Sequence, residues 1–546
     1  MSTRANDYMQ QENQTYDFII VGAGSAGCVL ANRLSANRKH KVLLLEAGGT
    51  DINPFVAAPV GETQLLGTRY DWAFEGEPEA ALGGSRLVLS RGRCLGGSSS
   101  INGQLYFRGH PKDYDEWESL GNPGWSYKDV LPLFREMENW EGGSNEYRGA
   151  SGPIRTAKGR YDNPLFGAFI QAGKQIGYST CDDFNAGDPE GFGYCQHTHY
   201  HWPVLRCSAS YGYLLWARWR RNLAIQKSCV VKRVIIEERR AVGVEYERNG
   251  ETRQAYSNVE VIVSTGPYQS PKLLMLSGIG PGETLQEFGI NPIQNLQGVG
   301  KNLQDQLGSF VQNACRQPIT YFKYTNPIRT AMAIVEWLLL ARGPLTLFPM
   351  AASGLVRTSP ELIRPDVQFY IFPCAVNPHE EGTFAPKYHA YNIHWGLVHP
   401  KSRGEVTLKS PGYQTAPRIR HNYFSNESDL ITNRRAFRLA RKLHDQSAFA
   451  DYRGEEVAPG PGCETDADID THTSRYFASH YHACGTCKMG SDDMAVVDHR
   501  LRVHGIRDLR IIDSSIMPTV VTGGLNAPSM MIGEKGAAMI LEDTAP

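Results

Sequence analysis

The chain has 546 residues and a formal net charge of −1, from 56 Lys and Arg against 57 Asp and Glu. Charge this balanced argues against broad nucleic-acid binding, which needs a basic surplus to neutralise phosphates. With 41% hydrophobic and 21% charged residues, the composition is that of an ordinary globular protein of two to four structural units, not of a disordered or low-complexity scaffold.

Residues 1–15 are polar, lack an apolar signal core and read as a flexible tail; a cytoplasmic location is the expectation. The eleven cysteines are odd in number and scattered, and read as reduced thiols rather than a disulfide framework. Tyr16–Val21 is a β-branched, apolar run of the kind buried in a parallel sheet. It leads into Gly22-Ala23-Gly24-Ser25-Ala26-Gly27, then a helical pattern (Cys28, Leu30, Ala31, Leu34), then a second strand, Lys41–Leu45, ending at Glu46. This is a complete β-α-β unit. Gly22 permits the tight turn, Gly24 lets the backbone approach a pyrophosphate, and Gly27 lets helix and strand pack closely. The helix N-terminus offers free N–H groups to phosphates. Glu46, twenty-four residues after Gly22, sits where a carboxylate accepts from ribose hydroxyls. The pattern alone does not choose NAD from FAD.

Farther along, glycine-rich breaks at Glu141–Ser144 and Pro459–Gly462 are candidate domain crossings. His197, His199 and His201 share one face if their run is a strand, and an exposed or pocket-rim face is favoured over a metal site. Val259–Ser264 and Leu509–Asp513 look like further sheet strands, while Val367–Ile371 and Tyr391–Val398 suit an antiparallel sheet. Phe372, Trp395 and Tyr370 in that region read first as core. Ala331–Leu345, the most apolar stretch, is broken by Glu336 and Arg342 and closed by Gly343-Pro344. It falls short of the ~18 apolar residues of a spanning helix and reads as a buried helix, with a membrane-surface role as the alternative. Cys484 and Cys487 form the chain's single C-x-x-C pair, and a zinc site needs about four ligands in paired spacing; neither a metal site nor a redox dithiol is expected.

Three further segments resemble one family. Gly92-Arg93-Cys94-Leu95-Gly96-Gly97-Ser98-Ser99-Ser100-Ile101-Asn102 resembles the first signature of the glucose–methanol–choline (GMC) flavin oxidoreductases, and Gly266 through Gly280 resembles the second. His482-Ala483-Cys484-Gly485-Thr486-Cys487-Lys488-Met489-Gly490 and Asp513 through Asn526-Ala527-Pro528 are similar to its catalytic end. The resemblance runs from Tyr16 to Ile540. It implies an α/β fold: a Rossmann-like FAD-binding domain with a substrate domain built on an antiparallel sheet. The expected boundaries are 16–155, 216–315 and 470–546 for the first and 156–215 and 316–469 for the second.

By the resemblance, Gly22, Gly24, Ser25, Ala26, Gly27 and Glu46 hold the ADP half of FAD, and the backbone of Val231 meets the adenine. Gly96, Gly97, Ser98 and Asn102 run beneath the flavin. Tyr481 abuts it, and Asp513 and Ser514 reach its ribityl and phosphate region, with a helix N-cap as the plain alternative for Asp513. Some choline-oxidising members carry a covalently linked histidine where this chain has Ile101, so the FAD is expected to be noncovalent. Gln306 replaces a histidine that many relatives have.

The implied activity is oxidation of a primary alcohol to the aldehyde. His482 is the expected base, Asn526 the group that orients the alcohol oxygen, and His480 the rival base. Oxygen or a quinone-type acceptor reoxidises the cofactor. A small-molecule alcohol is the expected partner, with no nucleic acid and no spanning segment, though peripheral membrane contact is allowed. No residue set in the sequence demands a quaternary ammonium. The alternatives are a lyase on the same scaffold with non-redox FAD, a flavin-binding partner or sensor without turnover, and a zinc hydrolase built on the histidine and cysteine clusters.

Overall fold

The computed structural model of the chain describes residues 13–376 and 388–544. Val42–Leu45 is buried along its whole length, as a central parallel strand must be. It pairs with Asn13–Val21 on one side and Leu223–Gln226 on the other, both parallel. Asn13–Val21 in turn pairs parallel with Glu251–Val263, and Leu509–Ile511 pairs parallel with the end of that strand. An antiparallel meander, Cys229–Glu237 and Arg240–Arg248, extends the sheet through Glu251–Val263. The first strand thus begins at Asn13, where Asn13, Gln14 and Thr15 already pair with Gln254, Ala255 and Tyr256. Only residues 1–12 of the expected tail lie outside the described residues.

The helix Ser25–Leu34 is buried around most of its circumference, because the sheet covers one side and the C-terminal helix Asn526–Asp543 the other. At the closest approach, a Cβ on Gly533 would stand 2.9 Å from the Val29 Cβ and 3.0 Å from the Ala26 carbonyl oxygen.

A second sheet is antiparallel throughout, in the order Arg453–Ala458, Leu307–Cys315, Ala390–Leu397, Val367–Phe372, Ala352–Val356, Gly191–Tyr194. Ala478–Ser479 adds to Leu307–Cys315. These two strands fall in segments expected to belong to the FAD half, so the expected boundaries at 315 and 470 do not coincide with the sheet edges. Val367–Phe372 is buried at every position and Ala390–Leu397 at all but His394. The expected alternation is lost because helices Pro164–Gln175 and Glu427–His444 pack in the core on one face while the other looks into the cavity described below.

The apolar stretch near 331 does form a helix, Pro327–Leu340, but it is not buried: Ala333 alone among its residues is. Among the described residues no helix is long and apolar enough to cross a membrane.

Candidate active site

One cavity of about 1290 Å³ lies between the two sheets, larger than the ~300–1,000 Å³ of ordinary small-molecule sites. At one end the backbone of the first β-α turn forms its wall. Gly22 has φ +98°, and a Cβ there would stand 2.4 Å from the Ser264 carbonyl oxygen; one on Gly27 would stand 1.9 Å from that of Gly22. Around Gly24 the nearest atom to an added Cβ is 4.0 Å away, so bare main chain faces the cavity. Glu46 accepts from Ala23 N–H and Gly48 N–H, each at 2.8 Å. Burial pushes its carboxyl up to about 7, against the pull of those two bonds.

The Gly96-Gly97 loop lies across this turn. Both glycines have positive φ, and an added Gly97 Cβ would be 2.7 Å from the Gly24 Cα. Ser98 Oγ accepts from Gly92 N–H, and Asn102 Oδ1 accepts from Arg206 Nη1 at 2.7 Å and Gln104 N–H at 3.1 Å. Asp513 caps the short 3-10 turn through Ser515 N–H and also ties in Gly266 N–H and Ser270 Oγ. Ser25 Oγ donates to Asn526 Oδ1 at 2.8 Å, so the amide nitrogen of Asn526 remains to donate.

Of the expected site residues, Gly22, Gly24, Ser25, Ala26, Glu46, Gly97, Ser98, Asn102, Val231, Tyr481, His482, Asp513, Ser514 and Asn526 all line this one cavity. Gly27 and Gly96 are not in the wall; they shape the backbone behind it. The free N–H groups at the start of Ser25–Leu34, the open Gly24 backbone and the Glu46 carboxyl suit a pyrophosphate and a ribose. The site fits FAD.

At the other end the wall is made of side chains. His482 donates from Nδ1 to Gln306 Oε1 at 2.7 Å. The proton is assigned there because Gln306 spends its own amide N–H groups on the carbonyls of Val398 and Val521, leaving Oε1 as the acceptor. The lone pair of His482 is therefore on Nε2, which lies 3.6 Å from where a Cβ on Gly524 would be; glycine keeps that space open. Asp305 holds the backbone beneath, accepting from His482 N–H and Gln306 N–H through Oδ1 and from Tyr423 and Ser479 through Oδ2. Burial would raise the Asp305 carboxyl, but His421, Arg91 and these hydroxyl bonds hold it below the usual range. Burial pushes His482 down to about 3, helped by His480 and Arg91 and opposed by Asp305. The imidazole is neutral at neutral pH.

His480 lines the same cavity, its ring centroid 5.9 Å from that of His482. The two do not share a strand face, since the strand ends at Ser479 and Tyr481 has φ +59°. Tyr370 and Phe372 reach the cavity. Trp395 does not; its indole N–H donates to Asn433 in the core. His197 and His199 are buried, not at an exposed rim, because the short strand Gln196–His197 is closed in by Ile154–Lys158. Burial keeps both neutral, at about 3 and about 4. Cys484 and Cys487 sit in the hydrophobic core, where burial pushes both thiols well up. Among the described residues no group of three or more His, Cys, Asp or Glu could hold a metal ion.

Three residues carry roles that the sequence reading did not assign. Asp305 and Gln306 stand in the Gly300–Gln306 segment, and Gln306 was visible there only as a departure from relatives. Glu62 also lines the cavity, with Oε2 buried and without a hydrogen-bond partner, close to Phe348; burial pushes its carboxyl up to about 7, with Arg206 opposing.

Comparison with known proteins agrees with this architecture. The N-terminal and C-terminal regions of GMC oxidoreductases match residues 16–308 and 400–533. The chain belongs to the GMC oxidoreductase family and is an oxidoreductase. It is 44% identical over 528 residues to the oxygen-dependent choline dehydrogenase of Rhizobium rhizogenes, covering 96% of this chain and 95% of the relative. Among solved structures, pyridoxine 4-oxidase from Mesorbium loti superposes with a TM-score of 0.87 at 30% identity, covering 96% and 98% of the two chains. Formate oxidase of Aspergillus oryzae does so with 0.90 at 26% identity, covering 98% and 99%.

Proposed function

We propose that this protein oxidises a primary alcohol to its aldehyde, with noncovalently held FAD as cofactor and His482 as base. Bound FAD supplies the hydride acceptor, and oxygen or a quinone-type acceptor takes the electrons onward. The observation that carries the reading is the 2.7 Å contact of His482 Nδ1 with Gln306 Oε1 in the cavity wall. Gln306 holds the Nδ1 proton, so Nε2 is free to take the hydroxyl proton of an alcohol in the cavity. The positive charge that then forms on the imidazole meets the Asp305 carboxylate behind it. Asn526, with Oδ1 engaged by Ser25, orients the alcohol oxygen by donating from its amide nitrogen. Ile101, which offers no nucleophilic atom, supports noncovalent attachment at that position.

In the same reading the parallel sheet and its helices form the cofactor half and the antiparallel sheet the substrate half, with Leu307–Cys315 and Ala478–Ser479 counted in the latter. Relatives named choline dehydrogenase direct attention to a small cationic alcohol, and Glu62 beside Phe348, in the cavity that Tyr370 and Phe372 also line, suits such a headgroup. The dehydrogenase names of the relatives do not favour a lyase. The test is an anaerobic absorbance titration of the purified protein with a panel of alcohols, including choline and its uncharged isostere 3,3-dimethylbutan-1-ol. Bleaching of a flavin band is expected, with recovery on admitting air or a quinone. A flavin band that no alcohol bleaches would contradict the reading.

A further inference from the structure

The helix Pro327–Leu340 presents its apolar side in the direction opposite to that of a surface helix in a water-soluble domain, whose stripe faces the core. Ile328, Met332, Val335 and Leu339 stand at i, i+4, i+7 and i+11, and so along one side. They are 72%, 61%, 52% and 69% exposed. Ile334, Leu338 and Leu340 widen the stripe. On the inner side Ala333 is buried, and the Trp337 indole donates to the Val204 carbonyl at 2.7 Å. That bond fixes the helix beside the loop carrying Trp202, which is 72% exposed. Arg206 joins the same loop to the short helix Pro54–Ala57, donating its backbone N–H to the Ala57 carbonyl and its side-chain Nε to the Val56 carbonyl, next to exposed Ile52 and Phe55. The apolar surface is thus larger than the helix alone, and patches of this kind mark docking sites.

Charge says what docks there. Arg329 and Arg342 lie exposed at the two ends of the stripe and make no ion pair among the described residues. The helix carries a single acid, Glu336, whose carboxyl folds back toward Gly343. A second copy of the chain is a poor occupant. Antiparallel pairing of two such helices would set Arg329 against Arg342, and parallel pairing would set each arginine against its own copy. An anionic surface meets both arginines favourably. The aromatic Trp202 at the edge has the amphipathic character that favours a membrane interface. At ~1.5 Å per residue a 14-residue helix is about 21 Å long, too short for a ~30 Å hydrocarbon core, so it lies in the plane of the surface.

We infer that the helix Pro327–Leu340, with Trp202, is a monotopic anchor that docks the enzyme on an anionic lipid surface. Docking there sets the cavity near the lipid. The chain leaving the helix forms the turn Pro344–Thr346 and then reaches the cavity wall at Phe348 and Met350.

Co-sedimentation of the FAD-loaded enzyme with vesicles tests this. Binding is expected with phosphatidylcholine vesicles containing phosphatidylglycerol and is expected to be much weaker with pure phosphatidylcholine. The pair Met332→Glu and Leu339→Glu, both at exposed positions, should abolish sedimentation while activity on a water-soluble alcohol is kept. Arg329→Gln with Arg342→Gln should weaken binding on the order of 30-fold, from about 1 kcal/mol per basic residue near the surface. No sedimentation with the anionic vesicles overturns the inference, as does equal binding to neutral ones. A dimer in lipid-free solution that Leu339→Glu dissociates would also overturn it, by making the face a self-contact.

Discussion

Glu46 takes its two hydrogen bonds from the main chain of Ala23 and Gly48, within one β-α-β unit, whereas His482 is held by Gln306 and Asp305, 176 and 177 residues away in the chain. The two ends of one cavity are therefore built by different means. At the nucleotide end, backbone in conformations that only glycine adopts cheaply forms the wall, and substitution costs the fold of the turn. At the other end, the segments flanking the strands Leu307–Cys315 and Ala478–Ser479 bring together side chains distant in the chain, and substitution changes the chemistry with the scaffold intact.

The largest effect expected from this contrast is at the nucleotide end. Gly27→Ala puts a Cβ 1.9 Å from the Gly22 carbonyl oxygen, a contact no side-chain rearrangement relieves. The variant should purify without its flavin absorbance, or not fold. Retention of flavin at the wild-type ratio would show that the turn yields, and would break the contrast.

At the catalytic end, Gln306→Leu should keep the flavin. It leaves Nδ1 of a buried imidazole without its acceptor and frees the tautomer. A loss of about 10–100-fold in kcat with little change in KM is expected, by analogy with the loss on removing the hydrogen-bond partner that orients a metal-bound histidine. An equal loss in the binding of FAD would mean that Gln306 acts on packing, not on the tautomer.

Acid stability sharpens the comparison, because the side of the molecule built on the antiparallel sheet is rich in buried neutral histidines. His421, His444, His472 and His480 are held at about 3 or about 4 by burial, as are His197 and His199. In the unfolded chain each takes a proton as pH falls through about 6.5; in the folded protein none does until near 4. The unfolded state then binds more protons, so stability is full above pH 6.5 and falls between 6.5 and 4, by up to about 1.4 kcal/mol per pH unit for each group. Glu46 and Glu62, both raised to about 7, and Glu79, Asp113, Glu260 and Asp366, raised by burial, act in the opposite sense, but they are outnumbered once His394, His399 and His482, also lowered by burial, join the histidines above. The melting temperature of the holoenzyme should drop steadily over this window; a flat profile between pH 7 and 5 would contradict the assignment of neutral histidines.

The smallest effect concerns recognition. Glu62→Gln should raise KM for choline about 10-fold, on the order of 1.4 kcal/mol, and leave KM for 3,3-dimethylbutan-1-ol unchanged. An equal rise for both alcohols would place Glu62 outside headgroup recognition.

The same contrast explains what could be read from the residues alone. The Gly22–Gly27 turn, Glu46 and the Gly96-Gly97 loop are local patterns, and each carries its geometry in a few consecutive positions. Val367–Phe372 and Ala390–Leu397 were legible as strands, but their burial on both faces depends on helices and a cavity supplied by other segments. Gln306 was visible only as a departure, since its meaning comes from His482 far along the chain. Glu62 stands in a short 3-10 segment with no motif of its own. The apolar stretch Ala331–Leu345 is legible as a helix, but the burial its hydropathy predicts is absent from the helix Pro327–Leu340, because hydropathy does not report which surface covers a helix.

The central claim is that His482 takes the alcohol proton. Anaerobic stopped-flow measurement of flavin reduction by an alcohol that bleaches the wild type, compared with His482→Ala at matched flavin content, tests it most directly. The account predicts retained flavin and reduction slowed by about 10²–10⁴-fold. Reduction at the wild-type rate would contradict it and move the base to another group in the cavity, His480 first.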